Sequence, residues 1–444
     1  MSSKNIVIIG NGISGVTLAR NLRKKSDCRI TIVSSETDYF YSRTALMYVF
    51  MGHMKFEHTQ PYENDFWSKN NIELINKHVD KVEVESKKLL FSSGDSLDYD
   101  QLVLAVGSKP NRFGWSGENL DAVQGLYHKQ DLEQMEKYAS TTKRAVVVGG
   151  GLIGIEMVEM FLSRNIPVTM LVREQSFWQS VLPSQDAALI TRHIQKHHVD
   201  LRLGVELDKI LPDANGRARA ITTSEGEEIA CEFVGLTVGV SPNTTFLKDT
   251  ELELEKGVLI NECFETSIKD IYAIGDCAQF REPIKGRGPL EQVWYTGKIM
   301  GETLASTLTG TRKAYTPGHW YNSAKFFDIE YQTYGRVNNA LTADQEEFYW
   351  EHSRGEKAVH FVFEKESRKF IGVNAFGIRL RHELFDRWLT DQKSIEYVLE
   401  HLKDANFDPE FYSKYEKQIV GNFNREFNSS IQVKRRSWKR IFNK

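Results

Sequence analysis

Cysteine is scarce in this chain: Cys28, Cys231, Cys263 and Cys277 are the whole complement of 4 in 444 residues. No two of them stand at CxxC spacing. That argues against a disulfide scaffold, a clustered zinc site and a local redox dithiol. With 31 glycines and 10 prolines, collagen-like and proline-rich low-complexity architectures are also excluded. No apolar run approaches the ~20 residues of a membrane-spanning helix. The longest runs are strand-sized, such as Ile6–Ile9 and Ala145–Val148. The chain opens Met-Ser-Ser-Lys-Asn and passes at once into such a run, which leaves no room for a signal or transit segment. A net charge of -3 gives no argument for nucleic acid. His197-His198 has no acid or cysteine at ligand spacing, so no metal is expected there. The expectation is a cytoplasmic protein. Its 41% hydrophobic and 26% charged residues are ordinary for a folded chain, and the length suggests about three domains.

What is present begins with an internal repeat. Asn5-Ile-Val-Ile-Ile-Gly-Asn-Gly-Ile-Ser-Gly15 and Arg144-Ala-Val-Val-Val-Gly-Gly-Gly-Leu-Ile-Gly154 share one plan, a continuous apolar run followed by GxGxxG. A continuous apolar run suits a strand buried on both faces of a parallel sheet. A helical segment follows each copy, 16–25 and 155–165, and then a second apolar run, Ile30–Val33 and Val168–Val172. The sequence therefore predicts two βαβ units. Between them, 64–76 reads as a short helix and strand, and 79–91 and 95–106 as strands around Ser93-Gly94-Asp95. Beyond them, 184–198 reads as a helix and 217–238 as strands around Glu225-Gly226. Next come a buried strand at Ile271–Cys277 and a helix at 291–308. Residues 312–320, with Pro317-Gly318, read as a linker. The period then changes to two, giving strands at 326–334, 346–351, 358–364 and 369–375 before a helical and irregular end.

The glycines carry specific physics. Gly10 permits a tight turn, Gly12 and Gly151 let backbone approach a pyrophosphate, and Gly15 and Gly154 allow close helix–strand packing. The pyrophosphate then rests on a positive helix N-terminus. An acid after the second strand is expected on a ribose. Glu36 lies 21 residues after Gly15 and Glu174 lies 20 after Gly154. A solvated strand end is the plainer reading of Glu36.

In order, these motifs resemble the pyridine nucleotide–disulfide oxidoreductase superfamily, flavoprotein reductases with two dinucleotide folds. Leu102-Val-Leu-Ala-Val-Gly-Ser-Lys-Pro110 resembles that family's crossover motif, and Gly235-Leu-Thr-Val-Gly-Val-Ser-Pro-Asn243 its second copy. Ile271-Tyr-Ala-Ile-Gly-Asp-Cys-Ala278 is similar to its second FAD motif. The resemblance implies an α/β fold with two Rossmann-like domains, for FAD and NAD(P)H, and a C-terminal α+β interface domain. The boundaries expected are 1–113 and 246–320 for the two parts of the FAD domain, 114–245 for the NAD(P)H domain and 321–444 for the interface domain. On the FAD side it implies Gly10, Gly12, Gly15, Glu36, Arg43, Ala105, Gly107, Asp276 and Glu291. On the NAD(P)H side it implies Gly149, Gly151, Gly154, Glu156, Arg173, Glu174 and Gly239.

Several of these residues keep a plainer reading. Asp276 also suits an N-cap. Arg43, in Tyr41-Ser42-Arg43, resembles an arginine that touches FAD phosphate in ferredoxin, rubredoxin and nitrite reductase-serving members, and it also suits a surface ion pair. Where such members often carry a lysine near the flavin, this chain has Tyr48. Glu156 is the one residue offered a catalytic position, between nicotinamide and flavin, and it equally suits a helix dipole. Glu291 and Trp294 stand where the family packs on the isoalloxazine; Trp294 also suits a core. Arg173 points to NADPH and Glu174 against it.

Subgroup follows from cysteine again. Tyr39-Phe-Tyr-Ser-Arg-Thr-Ala-Leu-Met-Tyr48 has none where disulfide reductases and peroxidase-like members carry theirs. Electrons must then leave the flavin directly for an external acceptor. The leading expectation is an FAD-dependent NAD(P)H oxidoreductase serving a small iron–sulfur carrier of ferredoxin or rubredoxin type. A membrane-associated NADH:quinone reductase and an NAD(P)H-sensing flavoprotein with little turnover are the alternatives, and a homodimer stays open. The end, Lys434-Arg-Arg-Ser-Trp-Lys-Arg-Ile-Phe-Asn-Lys444, carries six basic residues and no acid. Taking those six charges from -3 leaves -9 on the rest. Such a segment suits an acidic protein or the anionic inner face of a membrane, or a solvated tail.

Overall fold

The computed structural model describes residues 4–407 and 413–434. The chain forms two compact units, one from Met1–Gly149, Met160–Val168 and Leu207–Pro317, the other from Gly150–Glu159, Thr169–Glu206 and Gly318–Lys444.

In the first unit, β1 (Asn5–Ile9), α1 (Ile13–Lys25), β2 (Arg29–Ser34), β3 (Ile72–Asn76) and β4 (Gln101–Leu104) build the first nucleotide fold. The sheet order is Ile271–Ala273, β4, β1, β2, β3, and every pair is parallel. Val7 and Ile8 are wholly buried between covered faces, which is why their strand has no polar alternation. The helix Trp294–Leu308 lies on α1. A Cβ at Gly297 would approach Ser14 Oγ to 2.6 Å, and one at Gly301 the Ser14 carbonyl oxygen to 2.6 Å, so the glycines permit this contact. That helix starts three residues later than the sequence suggests. The strands expected at 79–91 and 95–106 are each broken in two, into Val79–Glu83, Lys88–Phe91, Ser96–Asp98 and β4. Lys87 takes a left-handed φ of 53° at the first break. The expected linker is anchored: Tyr315 is buried and stacks on Phe280 at 5.3 Å. The same unit holds β5 (Ala145–Val148), which pairs in parallel with Phe233–Leu236.

After the second glycine turn come α2 (Leu152–Ser163) and β6 (Val168–Val172). The second unit holds α3 (Ser184–Lys196), and β6 pairs in parallel with Asp200–Leu203. Its larger part is an antiparallel sheet of β7 (Tyr321–Phe326), β8 (Ile329–Gly335), β9 (Gln345–Glu351), β10 (Ala358–Glu364) and β11 (Phe370–Phe376), ordered β7-β8-β11-β10-β9. Helices His382–Thr390, Ile395–Glu400 and Glu416–Glu426 cover it over a phenylalanine core that includes Phe348, Phe361, Phe385 and Phe423. The strand expected at 326–334 is β8, which starts three residues later, after a hairpin turn from β7. Phe326 pairs with Ile329, leaving Phe327-Asp328 as a two-residue loop. Turn glycine or asparagine is missing from that loop, so no hairpin-turn signature marks it.

Candidate functional site

The first glycine turn is shaped by close contacts. Gly10 has φ 114°, and its N–H donates to the Val33 carbonyl at 2.8 Å. A Cβ at Gly10 would run into the Ala105 carbonyl oxygen, and one at Gly15 into that of Gly10. Gly12 differs: a Cβ there would meet nothing within 4 Å. Gly12 is also the N-cap of α1, with no side-chain cap, and the first turn of α1 carries no acid. Its leading N–H groups thus face open space with the dipole positive, which suits an anion. The second turn repeats the plan. Gly149 has φ 121° and abuts the Thr237 carbonyl oxygen, while a Cβ at Gly151 meets nothing within 4 Å. Gly154 is buried.

Glu36 and Arg43, expected on ribose and phosphate, meet each other. Arg43 Nη2 donates to Glu36 Oε2 at 2.7 Å and Nη1 to Oε1 at 3.0 Å. Glu36 Oε1 also accepts from the Tyr41 hydroxyl and from the Lys129 N–H at 3.1 Å. Arg43 further donates to the Tyr127 carbonyl and stands 4.4 Å over its ring. Burial alone would raise the Glu36 carboxyl; the Arg43 charge and the donors around it overcome burial and hold it below its usual range. Three donors use up Oε1, while Oε2 accepts one and keeps a lone pair.

Asp276 lies in the turn Gly275–Cys277 at the end of the strand Ile271–Ala273. The Tyr127 hydroxyl donates to its Oδ2 at 3.0 Å and accepts the Ser108 N–H at 3.0 Å. Gln292 Nε2 donates to Ser108 Oγ at 2.8 Å. Burial raises the Asp276 carboxyl, against the Tyr127 bond and the Arg43 charge. A Cβ at Gly107, whose φ is 65°, would lie 3.0 Å from the Tyr127 hydroxyl. Tyr127 therefore links the Glu36 and Asp276 groups, and sequence reasoning missed it; it stands in no motif. The two crossover-like segments pair antiparallel, Ser108–Pro110 with Val240–Pro242. Gly239 is next to that pairing, its carbonyl accepting the Asn111 N–H at 3.0 Å. The Glu291 carboxylate is already taken: Arg287 Nη1 donates at 2.8 Å and the Tyr315 hydroxyl at 2.7 Å, and the ion pair is buried. Its backbone carbonyl also accepts, from Thr296 Oγ1 at 2.9 Å.

Of the residues expected on NAD(P)H, Gly149 and Gly239 lie in the first unit, and Gly151, Gly154, Glu156, Arg173 and Glu174 in the second. Burial, with the Glu159 charge second, pushes the Glu156 carboxyl up to about 7. Glu159 is itself paired with Lys325 at 2.8 Å. Arg173 is 74% exposed and its Nε sits 3.1 Å from Glu174 Oε1, so the two opposing signals for the nicotinamide pair with each other. Cys231, Cys263 and Cys277 are buried and Cys28 half-buried. Burial pushes the thiols of Cys231 and Cys277 up to about 12, which makes thiolate chemistry there unfavourable. His197 has no acid at ligand spacing along the chain, yet Asp328 reaches it from the β7–β8 loop, at 3.2 Å. No spacing along the chain announces that meeting. No described helix is long and apolar enough to cross a membrane.

Comparison with known proteins gives the same picture. The profile of the family described as pyridine nucleotide-disulphide oxidoreductase matches residues 4–300. The chain is 30% identical over 282 residues to the NADH-rubredoxin oxidoreductase of Clostridium acetobutylicum, covering 63% of this chain and 69% of that one. It is 28% identical over 284 residues to the nitrite reductase [NAD(P)H] of Bacillus subtilis, covering 63% of this chain and 35% of that protein, about a third of its length. A ferredoxin reductase from Rhodopseudomonas palustris shares the fold, with TM-score 0.76 at 23% identity over 84% of this chain and 91% of that one.

Proposed function

The chain belongs to the pyridine nucleotide-disulphide oxidoreductase family and is an FAD-dependent NAD(P)H oxidoreductase, and from that premise we propose that it passes electrons to a small iron–sulfur carrier protein. The observation that carries the cofactor reading is the open backbone at Gly12 at the uncapped start of α1. The carrier is proposed from the relatives, of which one reduces rubredoxin by its name, and from the lack of cysteine in Tyr39–Tyr48.

Bound FAD supplies the exchange between a hydride donor and one-electron acceptors. In this reading the α1 N–H groups and Gly12 hold its pyrophosphate, with Gly10 and Gly15 shaping the turn that presents them. Glu36 Oε2 accepts a ribose hydroxyl, with Arg43 fixing the carboxylate. Asp276 accepts from the ribityl chain, with Tyr127 orienting it, and Ala105, Gly107 and the Glu291 backbone line the site. Gly149, Gly151, Gly154 and Gly239 take NAD(P)H, Glu156 lies beside the nicotinamide, and Arg173 with Glu174 meets the ribose end. The domain division that goes with this is 1–113 and 246–320 for FAD, 114–245 for NAD(P)H and 321–444 for the interface. A second reading rests on the basic run 434–444: a quinone acceptor at an anionic membrane face. A homodimer goes with either reading, and light scattering measures it.

The test is anaerobic. NADH or NADPH should bleach the flavin, and oxidised rubredoxin or ferredoxin should restore its colour. Restoration by a soluble quinone alone would favour the second reading. Bleaching that no acceptor reverses would make the protein a sensor, and a colourless protein that cannot be reconstituted with FAD would sink all of these.

A further inference from the structure

Far along the chain from the glycine turns, in the second unit, three ligand-type atoms converge. His193 is in the last turn of α3, and His197 is its C-cap, one turn on. Asp328 enters from the loop between β7 and β8. His193 Nε2 lies 2.7 Å from Asp328 Oδ1, His197 Nε2 lies 3.2 Å from it, and the two Nε2 atoms are 3.3 Å apart. Zinc holds nitrogen and oxygen ligands at ~2.0–2.2 Å, so the edges of its tetrahedron are about 3.3–3.5 Å. Two sides of this triangle nearly match that edge, and the third, at 2.7 Å, needs to open by about 0.6–0.8 Å.

The surroundings fix this arrangement. Phe327 adopts a left-handed φ of 55°, uncommon for a bulky residue. Its ring lies flat on the His197 imidazole, centroids 4.0 Å apart and planes 6° apart. The tight turn thus sets the His197 ring and the Asp328 carboxylate together. His193 is 4% exposed, so its ring is held by packing on the inner side of the triangle. Asp328 is 72% exposed, so a fourth position opens to water.

We propose that His193, His197 and Asp328 form a binding site for one divalent transition-metal ion of zinc type, which ties the β7–β8 hairpin to the end of α3 and keeps one coordination position for solvent. Two imidazoles and one carboxylate suit zinc over magnesium or calcium, which prefer all-oxygen shells. The site uses none of the residues assigned to FAD or NAD(P)H.

Zinc chloride is titrated calorimetrically into the FAD-loaded, chelator-treated full chain, with magnesium chloride as control. The same protein is melted with and without zinc. The expected result is one zinc per chain, a higher melting temperature with zinc, and no response to magnesium. Asp328→Asn and His197→Gln, both at exposed or half-exposed positions, should each weaken zinc at least about tenfold and abolish the thermal shift. Either variant folding normally and binding as wild type does would overturn the site. So would a wild-type chain that takes up no stoichiometric zinc; the triangle would then be a pair of hydrogen bonds to a shared carboxylate oxygen.

Discussion

At the scale of single residues, the two kinds of glycine in the first turn separate folding from cofactor binding. Gly10 is pressed on Ala105 with φ 114°, whereas Gly12 has a normal φ of -72° and open space where a Cβ would go. Gly10→Ala should cost roughly 2–3 kcal/mol by strain and overpacking. Gly12→Val should leave stability within about 1 kcal/mol and still lose FAD, since the valine takes the space a pyrophosphate needs. Urea unfolding of the apo-proteins and flavin absorbance check the pair; a Gly12→Val protein that stays yellow would contradict the assignment. Glu156 gives a pH signature. Its folded carboxyl titrates at about 7 against an ordinary 4.5. The folded state therefore keeps a proton that the unfolded chain loses, and stability present at acid pH falls as pH rises through about 7. Glu156→Gln removes that loss, so its melting temperature should exceed that of wild type at pH 8 and match it near pH 5. An equal difference at both values would mean that Glu156 does not titrate there.

At the scale of elements, a buried network joins α3 to the antiparallel sheet of the same unit. His360 Nδ1 is 2.8 Å from Asp186 Oδ1, its Nε2 is 3.0 Å from Glu347 Oε2, and Asn374 Nδ2 donates to Asp186 Oδ2 at 2.7 Å. His360 and Asp186 are wholly buried. Burial would lower the imidazole; its two carboxylate partners overcome that and lift it to about 9 from 6.5. Its contribution is thus complete below pH 6.5 and is lost as pH rises through about 9. His360→Gln should cost ~3 kcal/mol at pH 6, the scale for breaking a buried pair, and distinctly less at pH 10. Denaturant midpoints at the two pH values read this, and a constant gap would show a neutral His360. Nothing in the sequence marks these four residues, because they come together only through tertiary packing. The βαβ units were legible because both-face burial writes an uninterrupted apolar run at 6–9 and 145–148 and the turns demand glycine. The β7–β8 hairpin was not, since Phe327-Asp328 carries no turn signal, and the helix Lys129–Ala139 follows no motif that was read.

At the scale of the molecule, the positions of the glycine turns and the kind of cofactor were readable from motif order, while the wiring between motifs was not. Tyr127 joins the neighbourhoods of Glu36 and Asp276, 91 residues before it and 149 after it, and only folding brings such distances to hydrogen-bond length. The last six-charge segment, 434–444, lies mostly outside the described residues; Lys434 alone is described, its Nζ 3.3 Å from Glu400 Oε1. What the segment does must be argued from charge. It is strongly basic on a chain otherwise at -9 once its six charges are taken from -3, and small electron carriers of the rubredoxin and ferredoxin kind are reached by diffusional encounter, which opposite charge accelerates. The segment also carries the apolar side chains of Trp438 and Phe442. Removing 434–444 should leave turnover with ferricyanide unchanged, because that acceptor needs no docking surface. Reduction of an acidic iron–sulfur carrier should slow, most at low salt, since added salt already screens the attraction in the intact chain. Steady-state rates with both acceptors across a salt series measure this directly, and a truncated protein that matches the intact one with the carrier at every salt concentration would leave the basic run without a part in electron delivery.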